Sequence, residues 1–193
     1  IPWWTTDIGG FFGANINDPE FHELLVRWFE YGCFCPVMRL HGYRWPLQPQ
    51  YGTTGGATCV SGAPNEVWSY TDQVCEILSD YLRLRERMLP YITELMEEAH
   101  EKGTPVMRPL FYDFPEDKES WNVETEYMFG PKVLVKPITD ADARETDVYL
   151  PGGASWTNAW TGETFEGGQK VHVAAPIEQI PLFTRDGYKL PMK

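Results

Sequence analysis

Apolar positions change period along this chain, and the changes mark its elements. Phe21, Leu24, Leu25, Trp28 and Tyr31 recur at steps of three and four, which lays one apolar stripe along a helix. Asp18 stands ready to cap that helix and Pro19 to occupy its first position, so the spacing predicts a helix from Asp18 to about Tyr31, ended by Gly32. Extended runs flank it. Ile1-Pro2-Trp3-Trp4-Thr5-Thr6-Asp7 is rich in strand-forming residues and ends in an acid and a Gly-Gly turn, and Val37-Met38-Arg39-Leu40 follows the helix. Strand, helix, strand is a parallel crossover unit. Alternation along the first run sends Trp3 and Trp4 to opposite faces, so one of the two is expected to be buried for packing alone.

Residues 42–67 hold Pro46, Pro49, Pro64 and five glycines, which reads as a long loop with neither hydrophobic period. Loops of that length in compact domains tend to carry function. Ser69 or Thr71 can start the next helix, whose apolar positions are Val74, Ile77, Leu78, Tyr81 and Leu82; Pro90 should kink or split it, and a second segment, 91–102, should stop at Gly103. After Pro105 the runs shorten: 132–136, 146–150, 170–173 and 181–184 are strand-like and separated by Gly, Pro and Asp turns. The expected fold class is therefore α/β plus all-β, with an α/β part over 1–103 and an antiparallel β-sandwich over 104–193.

Sixteen basic against 28 acidic residues leave a net charge of −12, which repels phosphate backbones and argues against a nucleic-acid partner. A neutral ligand fits better. No apolar run approaches the roughly 18 residues a membrane helix needs, so no membrane partner is expected. Cys33, Cys35, Cys59 and Cys75 contain no C-x-x-C pair, and no Asn-x-Ser/Thr acceptor occurs, which together suggest free thiols in a reducing, cytoplasmic setting. His22-Glu23 and His100-Glu101 lack the second histidine of H-E-x-x-H, and Gly52 to Gly56 is not followed by a Lys-Ser or Lys-Thr pair. No metal site and no cofactor are expected. Glu94, Glu97, Glu98 and Glu101 read as a solvated helix face, and Asp113, Glu116 and Asp117 as turn chemistry.

In parallel α/β arrays ligands sit at the carboxyl ends of strands. Both runs of the crossover unit end there in polar side chains, Asp7 on the first and Arg39 with His41 on the second. Trp3, Trp4, Phe11, Phe12, Trp45 and Tyr51 crowd the same ends, and aromatic faces joined to charged hydrogen-bonding groups are what sugar rings require.

These residues carry a resemblance. Trp4-Thr5-Thr6-Asp7-Ile8-Gly9-Gly10-Phe11, Arg39-Leu40-His41-Gly42, Arg85-Glu86-Arg87-Met88-Leu89-Pro90-Tyr91, Gly103-Thr104-Pro105-Val106-Met107-Arg108 and Tyr127-Met128-Phe129-Gly130 resemble glycoside hydrolase family 31 in order and spacing over nearly the whole chain. The R-L-H-G form is closer to bacterial α-xylosidases than to the α-glucosidases that carry N-H-N. The resemblance implies the C-terminal quarter of a (β/α)8 barrel followed by a proximal C-terminal β-sandwich. It further implies cleavage of α-xylosides or α-glucosides of small oligosaccharides with retention, by two aspartates roughly 5 to 5.5 Å apart.

Asp7 matches neither of those aspartates. Both of their motifs would precede Ile1 and neither occurs in these residues, so the chain is expected to hold no catalytic group and to be inactive alone. By the same match Phe11 and His41 would line the sugar subsite beside the scissile bond, Asp7 would contact the sugar or orient its charged neighbours, and Arg39 would fix them. The expected partner is a neutral oligosaccharide. Strands without their barrel neighbours would also leave edges open to self-association. The rival expectation, from the turn-rich half after Pro105, is a carbohydrate-binding or structural β-sandwich module without catalysis.

Overall fold

Asp18 opens the first helix: its side chain accepts the Glu20 amide at 3.0 Å, and the helix, α1, spans Pro19–Cys33. The architecture comes from a computed structural model that describes residues 2–192; Ile1, the first residue of the expected opening strand, lies outside the described residues. Before α1 lies β1, Phe12–Asn15; after it come β2, Tyr43–Gln48, and β3, Ser61–Ala63. Two helices follow, α2 at Asp72–Arg87 and α3 at Leu89–Lys102. Thr71, not Ser69, caps α2, since its Oγ1 accepts the Val74 amide. Met88 serves both as the end of α2 and the start of α3, Pro90 sits in the first turn of α3, and Gly103 closes it in the left-handed region.

The second half holds β4 (Met107–Arg108), the short α4 (Leu110–Asp113), β5 (Tyr127–Phe129), β6 (Val133–Val135), β7 (Glu145–Leu150), β8 (Ser155–Asn158), β9 (Thr164–Glu166), β10 (Gln169–Ala174) and β11 (Leu182–Arg185). Six of these strands form one antiparallel sheet in the order β4-β5-β6-β11-β8-β9, and β10 pairs with β7 in a second. Alternation through the larger sheet is strict. Phe129, Val133, Val135 and Leu182 pack into the core that also holds Leu25, Phe29, Leu78 and Leu95 of the helices. Met128, Leu134 and Phe183 turn the other way and meet Val148, Leu150 and Val171 of the smaller sheet. The central sheet is thus buried on both faces, between a helical layer and a two-stranded layer. That is why Val133-Leu134-Val135 is an unbroken apolar run.

Five expectations are corrected. The 3–7 segment forms no ladder: a strand needs a run of paired neighbours, and here the two segments share only the Val37 amide on the Trp4 carbonyl at 3.0 Å, the Ile8 amide on the Arg39 carbonyl at 3.1 Å and one parallel bridge, Ile8 to Leu40. The strand that follows the acid starts beyond the Gly-Gly turn, at Phe12, and Val37–Leu40 shrinks to the same single bridge. Without a ladder there are no two faces, so Trp3 and Trp4 are both exposed, at 55% and 43%. Residues 42–67 are not featureless either. They hold β2 and β3, antiparallel to one another, with a cis Trp45–Pro46 bond.

Gly32, finally, does not end α1, which continues to Cys33. A side chain there would overlap Ile8, which is completely buried against it; that burial is worth roughly 1.5–3 kcal/mol.

Candidate sugar-binding rim

The two motif segments run side by side. Beyond the Ile8 to Leu40 bridge, β1 pairs with β2 in parallel, and the Tyr43 amide donates to the Phe11 carbonyl at 3.1 Å. Asp7 and Arg39, one residue before each end of that bridge, therefore leave neighbouring segments at one level, and the Arg39 guanidinium donates to Asp7 Oδ1. The Asp7 side chain keeps about a quarter of its surface, Arg39 about half. One turn further on, the Phe11 ring lies 5.6 Å from the His41 ring, tilted by 36°. All four predicted residues thus stand on the same edge, as one ion pair and one aromatic pair. They form a rim whose rings and guanidinium are largely exposed, Phe11 at 58% and the Arg39 side chain at half.

Both motifs take their glycines from this close approach. Gly42 has φ near 116°, and a Cβ on it would overlap the carbonyl oxygens of Gly10 and Phe11. Gly9, at φ 81°, faces the guanidinium of Arg44, which would be displaced by any side chain there. Only glycine adopts these angles without strain and lets the backbones meet.

Sequence reasoning missed Arg44. It is completely buried. Its Nη1 donates to the carbonyls of Gly10 at 2.8 Å and Tyr43 at 3.1 Å, its Nη2 to that of Ile8 at 3.3 Å, and its guanidinium carbon sits 5.1 Å from the centre of the Phe21 ring. Asn65 adds a further hold by donating to the Gly42 carbonyl at 3.1 Å, and Tyr70 donates to Asn65 Oδ1 at 2.5 Å. Arg85, which was legible only as part of a motif, donates to the carbonyls of Cys33, Cys35 and Pro36 and so fixes the loop that leads to Arg39.

Next to the rim, Gly42, Tyr43, Gln48, Tyr51 and 61–66 line a groove of about 460 Å³, with Tyr51 80% exposed. A cleft of about 930 Å³ lies between α1 and the β layers and is lined by Trp4, Trp28, Tyr31, Phe111, Trp121 and Tyr127 among others. Of the expected surface histidines, His22 bonds the Ile16 carbonyl and His100 is exposed. The four cysteines are unpaired, with burial pushing the Cys33 thiol up to about 12 and that of Cys35 up to about 11. Among the described residues no group of three His, Cys, Asp or Glu could hold a metal ion, and no helix is long and apolar enough to cross a membrane.

Comparison with known proteins places this geometry. Residues 1–95 match the model of the glycosyl hydrolases family 31 TIM-barrel domain, and residues 103–190 that of the family 31 C-terminal domain. The chain is 38% identical over its full length to an α-xylosidase of Saccharolobus solfataricus and 36% identical, over 94% of its length, to α-glucosidase 2 of Bacillus thermoamyloliquefaciens. It spans 24% and 20% of those two proteins, about a quarter to a fifth. A family 31 α-xylosidase from a soil metagenome, solved in complex with xylose, superposes with a TM-score of 0.93 at 49% identity, covering 98% of this chain and 28% of that one. The two matched models, one behind the other along the same polypeptide, make this chain a member of glycoside hydrolase family 31.

Proposed function

We propose that the chain forms the C-terminal wall of the active site in a retaining α-glycosidase of the α-xylosidase or α-glucosidase type. In this reading the two reacting aspartates belong to barrel strands outside these residues. The observation that carries it is the rim itself, an ion pair (Asp7, Arg39) and an aromatic pair (Phe11, His41) at one edge of parallel segments. The similar α-xylosidase solved with xylose supports it. The division of labour follows from chemistry. The exposed Phe11 ring presents an apolar face against which a pyranose can stack. His41 offers a ring nitrogen to a hydroxyl, and Arg39, donating to Oδ1, aims the Asp7 side chain. None of the four is asked to break a bond. The barrel part is taken to end at Gly103, where α3 stops. A stand-alone sugar-binding module accounts for the second half but leaves the match of residues 1–95 to a barrel model without explanation.

The test is a chimera in which this chain replaces the corresponding C-terminal segment of the soil-metagenome α-xylosidase. The chimera is expected to hydrolyse an aryl α-xyloside, and His41→Ala within it to raise KM about tenfold, as befits one lost hydrogen bond to a bound sugar. Loss of His41 with no change in KM or kcat would remove the rim from the substrate.

A further inference from the structure

A buried guanidinium is costly unless its donors are met, and Arg44 is buried completely with Nε lacking any partner. Packing alone does not explain it, since an aliphatic side chain would fill the space beside Phe21 without that cost. What distinguishes Arg44 is where its fork points. Two of its carbonyl partners, Ile8 and Gly10, flank the turn between Asp7 and Phe11, and the third, Tyr43, is its own chain neighbour two residues past His41, so the fork ties β2 to the turn. A planar fork with two terminal nitrogens spans such a set at fixed distances, whereas an ammonium on a flexible stem does not. The Gly9 position is kept free of a side chain by the same group.

We infer that Arg44 is the positioning residue that sets the separation of the Asp7 to Phe11 segment from His41, and through them the shape of the sugar subsite. Arg44 itself touches no substrate in this account. It acts by holding the Phe11 and His41 rings in contact and the Asp7 and Arg39 pair level with them. The inference deepens the sugar-binding reading and rests on it for its effect on turnover, but its structural half stands independently.

Two measurements test it. In the full 193-residue chain, Arg44→Lys is compared with wild type by the NMR resonances of the His41 ring and by amide exchange of Tyr43, whose N–H donates to the Phe11 carbonyl. The His41 signals are expected to move and Tyr43 exchange to quicken at least tenfold, while the His100 signals and exchange of the Leu95 amide in α3 stay as they were. If Arg44→Lys does not fold, Arg44→Met, which keeps the stem over Phe21 without an ill-matched charge, is read in the same way. Unmoved His41 signals with unchanged Tyr43 exchange overturn the inference. So does global loss of protection in both variants, which would make Arg44 a general core residue.

In the chimera, Arg44→Lys is expected to lower kcat/KM by about 10- to 100-fold, the scale of a misplacement near 1 Å. In the His41→Ala background the same substitution should cost several-fold less, because the group it positions is gone. Equal losses in both backgrounds contradict it. A wild-type chimera without activity counts against the sugar-binding reading, and the NMR comparison then decides Arg44 by itself.

Discussion

Asp7, Arg39 and His41 were legible because the rule that places ligands at the carboxyl ends of parallel strands depends only on where an extended run stops, and Phe11 through the resemblance to the family's motif. The structure pairs Asp7 with Arg39 and Phe11 with His41, although the runs they end on meet in a single bridge and not in a ladder. Arg44 was illegible for the opposite reason. In Tyr43-Arg44-Trp45 the outer two residues are exposed aromatics and the middle one is a buried cation, so the hydrophobic alternation reads inside out. Nothing in residue type announces that three carbonyls wait for it. Gly42 makes the same point about close approach, and yields a prediction: Gly42→Ala should destabilise the chain by about 1–3 kcal/mol from backbone strain alone, with more from the overlap with the Gly10 and Phe11 carbonyls. Urea unfolding measures this, and a loss below about 0.5 kcal/mol would refute the crowded geometry.

At the scale of elements, what was readable was local. Asp18, Thr71, Pro90 and Gly103 each act on the helix end beside them, and each does what its chemistry predicts. What escaped was set by distant partners, as with Gly32 against Ile8. The buried group between α1 and α2 belongs to this class. Arg27 donates to the carbonyls of Ala143, Ala175, Pro176 and Gln179 and to Glu30, so a single side chain of α1 ties the helical layer to the β layers. Tyr81 of α2 lies 3.0 Å from Glu30 Oε1 and 3.1 Å from the Glu178 carbonyl while accepting the Ile180 amide. Its hydroxyl has one proton to give. If that proton goes to Glu178, Glu30 is best satisfied by carrying a proton of its own, and burial pushes its carboxyl up to about 8 despite Arg27 beside it.

The sign for stability follows from that proton. The unfolded chain releases it near the ordinary value of 4.5 and the folded chain only near 8, so folding stability should fall as pH rises through this window, by at most roughly 1.4 kcal/mol per pH unit. Glu126, which burial raises to about 7, acts in the same direction over a narrower range. Glu30→Gln mimics the protonated acid. Denaturation midpoints measured from pH 5 to 9 should show the variant close to wild type at the acid end and with a shallower decline; an unaltered slope would place the titration elsewhere.

For the whole molecule, the switch from helical to strand periodicity near Gly103 marks where α3 ends and the β strands begin, whereas the burial of the central sheet on both faces went unread in its unbroken Val-Leu-Val run. The way the layers join could not, because it rests on Arg27 meeting carbonyls more than a hundred residues away. The chain matches relatives four to five times its length, along both of the family's matched regions. In the function proposed above, the rim would bind and orient the sugar while carboxylates on other strands carry the chemistry.

Release of nitrophenol from aryl α-xyloside and α-glucoside by the purified 193-residue chain tests this division most directly. The account predicts a rate indistinguishable from a boiled sample; protein-dependent release well above that background would contradict it, and would mean that a carboxylate pair within these residues performs the cleavage.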